Sequence, residues 1–573
     1  MSNTGKSETQ GDQMKGLNGG HILVDQLVMH GADLAFCVPG ESYLPVLDGL
    51  YLRRDAIRLI TCRHESGAAN MAEAYGKLTG KPGICLVTRG PGATNASIGV
   101  HTAFQDSTPM ILFIGQVGND FVEREAFQEI DYRRMYGQMA KWVAQIDRVE
   151  RIPEYIARAF QVATSGRMGP VVLALPEDTL SAMSGVADAR PCQHGQGNGP
   201  VASAEAMAKL SKLLAAAERP FVIVGGSGFD AASCEAFRKF VETQNLPVGC
   251  AFRFQDLLDN AHPNYAGDVG IGINPKLAAR IREADLVLCI GARLGEMTTS
   301  GYSLFDVPVP KQKLIHVHAG AEELGRVYQA DLMINATMGS FAYALAALPR
   351  VTKASVDAKA ARQDFAAWTA RKEIPGDVQM WDIMQWLNEN TPRDAIFTNG
   401  AGNYATWLHR FHPYGGFRTQ LAPTSGAMGY GVPAGIAAKA VHPDRTVVVF
   451  AGDGCFLMTG QEMATAVQYG LNVIFVVVNN GIYGTIRMHQ EREFPGHVHG
   501  TALTNPDFAA YARAFGAHGE VVEKTADFGP AFERCRAAGK PALIEIRLDA
   551  NAITPNTTLQ AIRDAALAAG GAV

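Results

Sequence analysis

The sequence lacks a membrane span. Its apolar runs, such as VIFVVV (473–478), fall well short of the ~18 residues needed to cross a bilayer. The nine cysteines stand singly, Cys37, Cys62, Cys85 and Cys192 among them, with no C-x-x-C and no zinc-like ligand group. That argues against a disulfide framework and fits buried thiols in a reducing compartment. An excess of one charge is missing too. Lys+Arg number 51 against 56 Asp+Glu, a net charge of -5, which gives no reason to expect nucleic acid or an anionic membrane as partner. The opening MSNTGKSETQGDQMKGLNGG has neither the apolar segment of a signal peptide nor the arginines of a transit peptide, so the expected location is cytoplasmic.

What is present is an enzyme-like composition, 47% apolar and 19% charged, in a chain of 573 residues, too long for one hydrophobic core. Short apolar runs alternate with helix-length stretches: LITCRHE, GICLVTRG, MILFIGQ, VVLALP; then FVIVGG, LVLCIGAR, KLIHVHA; then AIFTNG, TVVVFAGDG, NVIFVVVNN, ALIEIRL. Strands apolar on both faces imply parallel sheets covered by helices, an α/β class of open, doubly wound sheets. Two weakly patterned stretches, 184–203 and 350–376, divide the chain. The expected organisation is a disordered tail (1–19), domains at 20–185, 203–350 and 376–556, and a C-terminal tail (557–573). No sequence repeat links the first and third domains.

The most informative segment is GDGCFLMTGQEMATAVQYGLNVIFVVVNNGIYG (452–484). Asp453 follows an apolar strand directly, at the carboxyl end where open α/β sheets place ligands. Its flanking glycines allow close approach to a phosphate. A helix and a second strand then return the chain to Asn479-Asn480, so Asn480 is expected beside Asp453. A carboxylate, an amide oxygen and a backbone carbonyl form a hard oxygen site suited to Mg²⁺. Taken alone, Gly-Asp-Gly is more often a plain turn acid.

The whole segment resembles the diphosphate motif of thiamine diphosphate (ThDP) enzymes. The resemblance makes Asp453, Asn480 and the Ile482 carbonyl the metal ligands, with Tyr483 and Gly484 beside the cofactor. RHESGAANMAEAY (63–75) with GPGATN (90–95) resembles the pyrimidine-binding domain of the acetolactate synthase and pyruvate oxidase group. Glu65 is then the acid that hydrogen-bonds the cofactor's pyrimidine; taken alone it is a helix-start acid. APTSGAMGYGVPAGIAA (422–438) resembles the group's wedge, in which Met428 bends the cofactor and the Gly426 carbonyl accepts from it. TNGAGNYATW (398–407) matches the phosphate loop, with Gly402, Asn403 and Tyr404; Gly454 and Cys455 would add backbone or side-chain donors.

The resemblance runs from about residue 20 to 556. It implies a cofactor held between two chains, hence a homodimer or homotetramer. It places Gly40 at the cofactor, Phe127 and Gln128 over the reacting ring, His101 and Gln105 near the same mouth, and Glu41 and Ile486 in the substrate pocket. His489 stands where members that prefer 2-ketobutyrate as acceptor carry Trp. The central domain keeps Arg167, VGGSG (224–228) and Arg293, but has Gly272 in place of a family histidine and LGEMTT (294–299) in place of an acidic pair and Arg. FAD binding is left open. The expected activity is a ThDP- and Mg²⁺-dependent carboligase acting on a small 2-oxo acid such as pyruvate. A decarboxylase releasing aldehyde, a flavin-dependent oxidase and a non-enzymatic paralogue are the alternatives.

Overall fold

The computed structural model describes residues 16–191 and 199–570. Three six-stranded sheets, all parallel, account for the three apolar groups of the sequence. The first holds Leu34–Cys37, Arg58–Thr61, Gly83–Val87, Met110–Gln116, Trp142–Gln145 and Pro170–Pro176. The third holds Ile396–Asn399, Gln420–Leu421, Val447–Gly452, Ile474–Asn479, His518–Val522 and Ala542–Arg547. Counted along the chain, both run second, first, third, fourth, sixth, fifth across the sheet. The central sheet, from Pro220–Val224 to Leu332–Asn335, runs third, second, first, fourth, fifth, sixth, the order of dinucleotide-binding folds.

The first and third sheets share a core. The helix Glu65–Thr79 starts where His64 Nδ1 accepts from the Ser66 N–H and stops at Gly80, in the left-handed conformation. Its Gly and Ala residues let it press against the helices Gly90–Asp106 and Gly431–Val441, and one apolar cluster runs from Leu34 through this seam to Leu543. A buried polar clasp reinforces it. Lys77 binds Asp106 and, at 2.9 Å, the Ala422 carbonyl; the Thr424 N–H donates to Asp106 at 2.7 Å; Tyr430 donates to Glu73. Burial pushes Glu73 up to about 6.

Regular elements reach into both stretches read as tails. Residues 1–15 lie outside the described part, but Leu17–Asn18 already pairs antiparallel with Met183–Ser184, and Asn18 caps the helix Gly19–Met29. Residues 559–568 form the helix Leu559–Ala568, capped by Thr558 and held to the helix Gly484–Glu493 by Arg563, whose Nε donates to Glu491 at 2.7 Å. The stretch 350–376 contains the helix Lys359–Trp368, whose Phe365 packs edge-on against Tyr265 of the central domain. Among the described residues, no helix is long and apolar enough to cross a membrane.

Candidate active site

The two ends of the 452–484 segment meet. The strand Val447–Gly452 passes directly into the short helix Asp453–Phe456, and the neighbouring strand sets Val478 opposite Gly452. Asp453 is buried. Its Oδ2 accepts from the Gly481 N–H at 2.9 Å and from Asn505 Nδ2 at 2.7 Å, and its Oδ1 accepts from the Gly454 N–H at 2.8 Å. Burial raises its pKa, and these donors oppose the shift; a cation would oppose it further. Asp453, Asn480 and Ile482 line one cavity of about 220 Å³ with Gly402, Asn403, Gly426 and Met428. Tyr483 and Gly484 complete its wall. A side chain at Gly454 would come within 2.6 Å of the Tyr483 ring, so the close turn requires glycine.

The second asparagine lines the cavity; the first does not. Asn479 donates to Glu545 Oε1 at 2.8 Å and accepts from Asn505 Nδ2 at 2.8 Å. Asn505, in TNPDF, thus holds Asp453 and Asn479 together, a role absent from the sequence-based expectation. The only local signal is a polar turn before the helix Phe508–Ala514, and nothing in it points back to residue 453.

The Cys455 side chain is engaged within the protein. Its buried sulfur accepts from the Tyr404 hydroxyl at 3.1 Å and the Gly429 N–H at 3.2 Å, knitting three loops together. Asn403 is likewise engaged: its N–H donates to Thr485 Oγ1 at 3.0 Å and its Oδ1 accepts from that hydroxyl at 2.9 Å.

A second cluster forms in the first domain, around the start of the helix Gly90–Asp106. Asn95 Nδ2 donates to Glu65 Oε2 at 3.0 Å, Arg89 lies 3.9 Å from Glu41 and donates to the Phe127 carbonyl at 3.3 Å, and the Gly90 N–H donates to the Gln128 carbonyl at 2.9 Å. Gly40 sits behind it, close against Thr88. Glu65 is half-buried within the single chain rather than enclosed, and Phe127 is 71% exposed. None of this cluster lines the cavity at Asp453, whose wall comes wholly from residues 401–553.

Within one chain, His101 and Gln105 stand at the far end of a helix from Phe127 and Gln128. All four residues meet the same 17-residue helix, but at opposite ends, roughly 20 Å apart at 1.5 Å per residue. His101 and Gln105 line a different cavity of about 630 Å³ with Asn403 and Gly426. The helix Gly484–Glu493 carries Ile486, which lines the 220 Å³ cavity, and His489, which is exposed outside it, 3.5 Å from Arg492.

In the central domain the loops after the first and fourth strands adjoin, at the point where chain order reverses. Gly226 and Gly291 from these loops line both the 630 Å³ cavity and a third of about 430 Å³. Arg253 lines both as well; it is buried, and its Nε and Nη1 have no hydrogen-bond partner. Arg167 is engaged with Glu323 at 2.9 Å, and Arg293 donates to the Gln105 carbonyl at 3.1 Å.

Comparison with known proteins agrees with this layout. Family models described as thiamine pyrophosphate enzyme match over residues 17–135 (N-terminal TPP binding domain), 207–345 (central domain) and 400–546 (C-terminal TPP binding domain). The chain is 32% identical over 551 residues to the acetolactate synthase large subunit of Corynebacterium glutamicum, covering 92% of this chain and 86% of that one. It is 30% identical over 540 residues to the acetolactate synthase isozyme 2 large subunit of Escherichia coli, covering 93% and 96%. The probable acetolactate synthase large subunit of Methanocaldococcus jannaschii is 28% identical over 558 residues, covering 93% and 92%. The chain belongs to the thiamine pyrophosphate (thiamine diphosphate) enzymes, within the acetolactate synthase large-subunit group.

Proposed function

We propose that the chain is a Mg²⁺-dependent carboligase that decarboxylates a small 2-oxo acid, pyruvate or a close analogue, and joins the remaining fragment to a second carbonyl compound. The observation that carries this reading is the meeting of Asp453 and Asn480 in one cavity with the 402–404 loop, in a chain related over nearly its whole length to acetolactate synthases. Thiamine diphosphate, when bound, supplies the nucleophilic carbon and the electron sink.

The chain's own residues hold and aim that group. Asp453, Asn480 and the Ile482 carbonyl would supply oxygen ligands to Mg²⁺, and Asn505 holds the Asp453 carboxylate in place. Met428, packed on the third-domain core, would support the bound cofactor, and the Gly426 carbonyl would accept a hydrogen bond from it. Glu65, held at one oxygen by Asn95, would hydrogen-bond the bound group's pyrimidine and favour its loss of a proton. Glu65 and Asp453 fall in separate clusters of one chain, so a complete site needs the first domain of one subunit against the third domain of another. A homodimer is the smallest active unit in this reading, and a homotetramer is a pair of such dimers. Ile486 and His489 lie along the helix beside the acceptor.

A flavin nucleotide as additional ligand is favoured by one observation. Arg253 is buried without partners on two of its nitrogens, between the glycine loops of a sheet with dinucleotide-binding strand order. The purified protein should then carry flavin absorbance. Incubation with pyruvate, with and without an aldehyde or 2-oxo acid acceptor, tests the main reading. Ligated product, with little free aldehyde or peroxide, supports a carboligase; aldehyde alone indicates a decarboxylase, and oxygen uptake an oxidase.

A further inference from the structure

The turn that presents Glu65 is held from outside its own domain. Glu462 is fully buried at the start of the helix Met463–Gln468 in the third domain. Its Oε1 accepts from the backbone N–H of His64 at 2.9 Å and of Arg63 at 3.0 Å, the two residues before Glu65. Its Oε2 accepts from Thr465 Oγ1 at 2.6 Å, which fixes the carboxylate plane. Two neighbours continue the grip: the Tyr469 hydroxyl accepts from the Thr61 N–H at 2.8 Å, and Gln468 Oε1 accepts from Arg63 Nη2 at 2.6 Å. A Cβ at position 67 would stand 2.4 Å from Glu462 Oε1, so Gly67 makes room for this contact.

From this geometry we infer that Glu462 is a positioning residue for Glu65, an inference that rests on the activator role given to Glu65 above. A buried carboxylate is costly unless its oxygens are satisfied, and two N–H groups at a helix start are costly unless accepted. Each meets the other's need here. The carboxylate also faces the positive end of the helix Glu65–Thr79. Without it, Arg63 and His64 lose their acceptor and the backbone carrying Glu65 is free to shift. A displacement of about 1 Å is enough to weaken a catalytic hydrogen bond severely. Glu462 lies nine residues after Asp453 on the same segment, so one stretch of chain serves both the metal loop and the activator turn.

The test compares Glu462→Gln with Gly67→Ala, which keeps the charge but crowds the carboxylate from the other side. Glu65→Gln is run alongside. In cofactor-free protein, amide hydrogen exchange in a peptide spanning residues 61–66 should speed up at least tenfold in both positioning variants. In holoenzyme with ThDP and Mg²⁺, proton exchange at the cofactor's reacting carbon should slow at least tenfold, while ThDP affinity stays within about threefold. A merely structural role would lower the melting temperature and leave the exchange per bound cofactor unchanged. Wild-type protection of 61–66, or wild-type exchange at the reacting carbon while Glu65→Gln slows it, overturns the role of Glu462. Wild-type exchange in Glu65→Gln overturns the activator reading itself, and this inference with it.

Discussion

The first and third domains have the same strand order and opposite chemistry at matching places. In each, the second strand leads into a helix at the shared seam: Glu65–Thr79 in the first and Gly431–Val441 in the third. The link before the first of these helices ends at Glu65; the link before the second carries Gly426 and Met428. After the third strand, the first domain turns into the 17-residue helix Gly90–Asp106, whereas the third domain turns into a four-residue helix that opens on buried Asp453. The long helix there is covered at its start by Gln128, whose carbonyl accepts from the Gly90 N–H. A short one leaves the strand ends open as a cavity. One topology thus yields an acid at an open edge in one domain and a buried acid at an enclosed cavity in the other. The difference lies in the connections, not in the sheets.

Breaking the third-domain end should have the largest effect. Asp453→Ala removes the only carboxylate among the described residues lining the cavity, and Mg²⁺-dependent ThDP binding in calorimetry should be lost with the fold retained by circular dichroism. Unchanged affinity would remove Asp453 from the metal site. The first-domain end should respond differently: Glu65→Gln should retain ThDP binding and slow exchange at the reacting carbon by roughly two orders of magnitude. Coexpressing these two inactive variants sharpens the comparison. Random pairing should restore about a quarter of the sites if each site joins two chains, and none if each lies within one chain. Asn505→Ala, which touches Asp453 without lining the cavity, should cost about tenfold to a hundredfold in metal-dependent affinity, as outer partners of metal ligands do. The smallest effect on turnover itself is expected at the exposed His489. His489→Trp should shift competition between pyruvate and 2-ketobutyrate as acceptors by roughly tenfold to a hundredfold, with donor decarboxylation little changed. No shift would place His489 outside the acceptor pocket.

By itself, the sequence determined the α/β class, the three sheets and the meeting of Asp453 with Asn480. All of these follow from local periodicity and from the geometry of a single strand–helix–strand unit, in which neighbouring parallel strands end at one edge. The resemblance of motifs added Glu65, Met428 and the 402–404 loop. What lay beyond reach depends on contacts between segments far apart in the chain. Asn505 reaches Asp453 across 52 positions and Glu462 reaches His64 across 398, and neither pairing leaves a local pattern. Which groups reach the Cys455 sulfur depended on where the Tyr404 ring and the Gly429 backbone came to rest. The separation of His101 from Phe127 followed from the length of one helix, and the identical order of the first and third sheets from how strands paired, which sequences without a visible repeat do not record. Periodicity fixes which face of an element is apolar; only packing decides which distant polar group must satisfy a buried one, because that partner is chosen by position in space and not along the chain.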